Sequence, residues 1–94
     1  MFAIAHDDSG AVRLTGRLDA ASVSTARDFL ARIETTTRLD FTELEYIASV
    51  GLGVLVAAQR RLKEKGEGLV LTGLSPHLRE VLSLAGFEGI FAVE

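Results

Sequence analysis

The stretch "YIASVGLGVLVAA", residues 46–58, is the longest apolar run in the chain, yet it holds one hydroxyl, Ser49, and two glycines, Gly51 and Gly53. Just before it, "RLDFTELEYI" (38–47) sets Leu39 and Phe41 to one side and Asp40 and Thr42 to the other, the alternation of a half-buried strand. From Leu52 to Ala58 the residues are apolar or small all round, and polar residues resume from Gln59 to Lys65. Two turns without a polar face predict a helix buried on more than one side. Gly66 and Gly68 stop it. Residues 47–51 therefore form a strand-to-helix turn, with Ser49 at its centre.

The same reading extends in both directions. "FAIAHDDSGAVRLTGRLD" (2–19) predicts two short strands around the turn residues Asp8, Ser9 and Gly10. Asp19 stands where a helix N-cap is expected. Val23, Ala26, Leu30 and Ile33 follow as one helical stripe, ended by the threonines at 35–37. Downstream, "LVLTG" (69–73) is continuously apolar, as in a strand covered on both faces. Ser75-Pro76 is a helix start, Gly86 a helix stop, and "GIFAVE" (89–94) a closing strand. The order β-β-α-β-α-β-α-β implies an α/β fold: a mixed β-sheet with an N-terminal hairpin and about three helices packed on it.

Composition bounds the function. In 94 residues, 48% are hydrophobic and 24% charged, with no linker or repeat, so one domain spanning 1–94 is expected. The net charge of −3 is spread evenly, and the one basic cluster, "RRLKEK" (60–65), is interrupted by Glu64. That pattern suits a solvated helix end and gives no platform for nucleic acid. Cysteine is absent, which excludes disulfides and thiolate chemistry. His6 and His77 are far apart with no carboxylate at ligand spacing, so no metal and no cofactor are expected. The N-terminus lacks the form of a signal peptide, and an apolar run of 13 residues is shorter than the roughly 20 that span a bilayer. A soluble cytoplasmic protein is expected, as a monomer or weak dimer.

Ser49 has two compatible readings. One is an N-cap whose hydroxyl accepts an amide hydrogen bond, with Gly51 and Gly53 allowing the helix close to the sheet. The other is a modification site, because a helix start tolerates a phosphate carrying roughly −1.5 to −2 charges. Enzymatic readings find less support. "GLG" lacks the third glycine of a dinucleotide loop, since position 56 is Val56, and no lysine completes a P-loop. Ser49 sits in no G-x-S-x-G elbow.

Three segments, "VRLTGRLDAASV" (12–23), "LDFTELEYIASVGLGVL" (39–55) and "LVLTGLSPHLREVLSLAGFEGIFAV" (69–93), together resemble the STAS domain of bacterial anti-sigma factor antagonists. The family's central motif, Asp-Ser-Ser-Gly, a hydrophobic residue and a second glycine, matches Ala48, Ser49, Val50, Gly51, Leu52 and Gly53. Its phosphorylated serine falls on Ser49 and its strand-end aspartate on Asp40. The resemblance implies partner switching. The unphosphorylated protein binds an anti-sigma factor serine kinase, phosphorylation of Ser49 releases it, and a PP2C-type phosphatase restores it. The partner-binding surface implied comprises Asp19, Asp40, Thr42, Ala48, Ser49, Val50, Gly51 and Leu52. Here Ala48 replaces the motif's aspartate and Val50 its second serine. That apolar substitution leaves open a non-switched STAS interaction module, a signalling scaffold or an accessory subunit of a membrane transporter.

Overall fold

Five strands, β1 (Ala3–His6), β2 (Val12–Leu18), β3 (Thr37–Ile47), β4 (Leu69–Thr72) and β5 (Ala92–Val93), lie side by side in chain order. The computed structural model describes residues 1–87 and 89–94. β1 and β2 form the expected antiparallel hairpin, with Ala3 opposite Thr15 and His6 opposite Val12. Every later pairing is parallel. The crossovers are made by α1 (Val23–Leu30), α2 (Ser49–Lys63) and α3 (Pro76–Leu84).

The helices gather on one face of the sheet. Val12, Leu14 and Leu18 of β2, Leu39, Phe41 and Leu44 of β3, and Leu69 and Leu71 of β4 are buried there with Leu30, Leu55, Leu62 and Leu78 from the helices. The other face carries Arg13, Arg17, Arg38 and Glu43, all exposed. β4 is therefore not covered on both faces, as its unbroken apolar run suggested: Val70 and Thr72 are half-buried on the open side. Parallel strands are ordinarily buried on both faces. Here charge pairing across strands keeps the open face wet. Arg38 donates two hydrogen bonds to Glu94, at 2.8 and 3.1 Å, and Arg13 lies 4.0 Å from Glu43. Exposed pairs of this kind, screened by solvent, add little to stability.

Helix ends follow local chemistry. Ser75 caps α3, its hydroxyl accepting from the Leu78 amide at 3.1 Å, with Pro76 at the first helical position. α2 and α3 close alike. The amide after the stop glycine reaches back to Leu62 O in α2 and Leu82 O in α3, both at 2.9 Å. Gly66 and Gly86 supply the left-handed conformation that this ending needs, with φ of 75° and 77°.

α1 departs from expectation at both ends. Its N-cap is Ser22, not Asp19, because residues 19–22 first fold into a turn. In that turn the Ser22 hydroxyl donates to Arg17 O (2.8 Å) and accepts from the Asp19 amide (3.0 Å). The helix stops at Leu30, before the threonines. At and just past this end Arg61 of α2 takes up carbonyls, its Nη2 donating to Leu30 O (2.9 Å) and Ile33 O (2.7 Å). α2 likewise differs from its hydropathy pattern. Gln59 is only 3% exposed, and its amide joins Ile90 O (2.8 Å) to the Leu69 amide (2.7 Å), while Gly53 and Ala57 face outward. A buried glutamine with both ends paired is stable where an unpaired one is not.

Candidate functional site

β2 and β3 end level, Leu18 opposite Ile47, so both strand-to-helix turns emerge at one edge of the sheet. The Ala48 amide donates to Leu18 O at 2.9 Å and ties the two turns together. The turn that carries Asp19 and the start of α2 thus form one continuous surface. This is the carboxyl edge of parallel strands, where open α/β sheets commonly place their sites.

Ser49 does not cap α2. The N-cap is Ala48, extended at φ −91° and ψ 166°, and its carbonyl accepts from the Gly51 and Leu52 amides at 2.9 and 3.1 Å. Ser49 is the first helical residue, with an exposed side chain. Ala48, with only a methyl group, supplies no side-chain cap either. The first turn holds no acidic residue, so the positive end of the helix dipole is uncompensated at the serine.

The neighbours fall into two groups. Val50 is 47% exposed beside Ser49, whereas Gly51 and Leu52 are buried beneath it. Gly51 sets the depth of the helix: a Cβ there would lie 2.7 Å from Leu18 Cγ and 3.1 Å from Ile47 Cγ1. Gly53, expected to serve the same purpose, has no atom within 4 Å of such a Cβ. Asp19 is half-buried, accepting from the Ala21 amide at 3.1 Å, with Arg17 Nε 4.0 Å from its other oxygen.

Asp40 and Thr42 are not brought to this turn. Asp40 lies seven residues before the end of β3, roughly 20 Å away along an extended strand. The Thr42 amide (2.9 Å) and hydroxyl (2.6 Å) both donate to its Oδ1. Between the pairs Arg13–Asp40 and Thr15–Glu43, β3 carries one extra residue, so the carboxylate fastens a bulge. The Thr42 hydroxyl and amide hold the Asp40 carboxyl below its ordinary value of 3.8. A depressed carboxylate stabilises the fold above its unfolded pKa, and that contribution is lost as pH falls through the lower folded value. Asp40→Asn is therefore expected to lower the urea midpoint at pH 7, by an amount that shrinks as the pH falls below 3.8.

Sequence reading missed Arg17 and Tyr46. The Arg17 guanidinium stacks 4.3 Å from the Tyr46 ring centre, beside Asp19. Only the parallel register, which sets Arg17 opposite Tyr46 after a second irregularity in β3, reveals the pair. Among the described residues no group of three His, Asp or Glu side chains is arranged to hold a metal, and no helix is long and apolar enough to cross a membrane.

Residues 2–93 match the family described as "Mlab, STAS domain". The chain belongs to the STAS domain family. The anti-sigma-B factor antagonist of Listeria monocytogenes is 31% identical over 85 residues, spanning 86% of this chain and 75% of that protein. BtrV of Bordetella bronchiseptica is 44% identical over 55 residues, 58% of this chain and 47% of that protein, so the match spans about half of BtrV. Among solved structures, the anti-sigma factor antagonist SpoIIAA in its unphosphorylated form superimposes with a TM-score of 0.73 at 21% identity, covering 100% of this chain and 87% of that one. Bacillus SpoIIAA in its phosphorylated form gives 0.71 at 22%, covering 100% and 91%. At these identities the likeness to SpoIIAA is one of fold. This STAS domain reproduces the five-stranded mixed sheet and three helices expected of it.

Proposed function

We propose that residues 1–94 act as one STAS unit, an anti-sigma factor antagonist that works by partner switching in the cytoplasm. The observation that carries this reading is the position of Ser49: exposed, free of any capping role, first in α2, and beside the Asp19 turn. With Ser49 unmodified, its turn and Val50 dock against an anti-sigma factor serine kinase. Phosphate at this position adds roughly −1.5 to −2 charges, which the uncompensated helix start favours by about 0.3–1 kcal/mol. The fold therefore survives modification. The interface does not, because burying a dianion beside exposed Val50 and half-buried Asp19 meets both desolvation and repulsion. Removal of the phosphate by a PP2C-type phosphatase restores binding. That SpoIIAA has been solved in both phosphorylation states supports the same cycle here.

The test is phosphotransfer from ATP by the anti-sigma serine kinase of the same organism, with the modified residue mapped by mass spectrometry. One phosphate on Ser49, and none on the Ser49→Ala protein, is the expected result. Phosphate on Ser24 or Thr25, both exposed nearby, would move the switch to α1.

A second reading is favoured by the apolar character of the turn, where Ala48 and exposed Val50 stand. A STAS module that binds its partner constitutively, as a scaffold or transporter subunit, has the same surface without the phosphate. It predicts stable binding to the partner with no transfer to Ser49.

A further inference from the structure

α1 and α2 do not close against each other along their outer sides. An open groove of about 450 Å³ runs between them, floored by Leu30, Val54 and Ala58. On α2 its wall follows Val50, Gly53, Ala57 and Arg61, a stripe about three turns long. Gly53 and Ala57 are exposed and small, so a neighbouring backbone can approach to the 8–10 Å typical of packed helices. The groove begins at Val50, beside Ser49.

Charge selects the occupant. Two arginines line the groove and no carboxylate does. Arg61 is committed: Leu30 O and Ile33 O hold one arm, and Glu34 lies 3.6 Å from the other. Arg27 is exposed and joins none of the ion pairs among the described residues. A strand laid here would find no sheet edge for its backbone, whereas a helix brings its backbone bonds with it. We propose that the groove receives one amphipathic helix of the partner, apolar toward Val54 and Ala58 and carrying a carboxylate that pairs with Arg27. This rests on the docking surface proposed at Ser49 and names the partner's chemistry.

The probe is a labelled helical peptide of about 20 residues, long enough to form in water, with leucines on one stripe flanked by glutamates. Its counterpart has lysines in place of the glutamates. Binding is read by amide chemical shifts of the whole protein and by fluorescence titration. The acidic peptide is expected to shift Arg27, Val50, Gly53 and Ala57, and to bind at least about tenfold more tightly than the basic one. Gly53→Leu, at a site with open space, should abolish binding, and Arg27→Glu should reverse the peptide preference. Phosphotransfer to Ser49 is read separately on the protein without peptide, so that failure of the phosphate switch and failure of the groove are told apart. Three outcomes overturn the proposal: no shifts up to about 1 mM peptide, shifts centred elsewhere, or self-association of the protein that Gly53→Leu abolishes, which would make the occupant a second copy.

Discussion

Gly51→Val is expected to destabilise the domain by about 1–3 kcal/mol, whereas Gly53→Ala, two residues along the same helix, is expected to stabilise it by up to about 1 kcal/mol. At Gly51 a Cβ would sit 2.7 and 3.0 Å from Leu18 Cγ and Cδ2. Leu18 has no exposed surface and closes the end of β2, so it has nowhere to retreat. The substitution must therefore lift the start of α2 from the sheet, and with it the turn that presents Ser49. At Gly53 the added methyl meets open space and only removes backbone freedom from the unfolded chain. Urea unfolding of both variants checks the pair. Equal effects would mean that α2 is not seated on Leu18 as described.

Under the proposed partner switching, Ser49→Asp is expected to weaken binding to the kinase proposed as partner by a factor of about 100 or more, while Ser49→Ala changes it by no more than a few-fold. A carboxylate at the first helical position meets a dipole without an acidic partner in its turn, so folding stability should hold or rise by about 0.3–1 kcal/mol. In the proposed interface the same charge would be buried beside Asp19, an arrangement that costs about 3 kcal/mol or more when left uncompensated. The two effects have opposite signs. Thermal unfolding and calorimetric titration of one preparation separate them. A variant that loses binding because it misfolds would lose both together.

Periodicity carried most of the fold. The hairpin, three helices and closing strand follow from alternating or helical spacing, and the α3 cap and stop from Ser75, Pro76 and Gly86. What spacing does not encode is pairing between distant elements. At and past the end of α1, the carbonyls of Leu30 and Ile33 are taken up by Arg61, a residue of another helix. Gln59 is buried because both its ends find backbone partners, the Leu69 amide at the start of β4 and Ile90 O before β5. β4 read as doubly covered because its residues are apolar, yet the helices all chose the other face.

The candidate site was legible in the same measure. Ser49 and Asp19 could be picked out as turn residues, and the parallel register brings their turns to one edge. Their capping roles were misassigned, since Ser49 begins the helix that Ala48 caps and Ser22 takes the place given to Asp19. Asp40 and Thr42 share the strand but serve its bulge, well away from the serine. Arg17 over Tyr46 was invisible, because only an irregular register sets them opposite.

The deciding measurement is the intact mass of the protein purified from its own host, growing and stressed, with any phosphate mapped by peptide. Partner switching predicts one phosphate on Ser49 whose occupancy changes between the two conditions. A protein that is unmodified in both, while still bound to its partner, would contradict the switch and leave a constitutive STAS module.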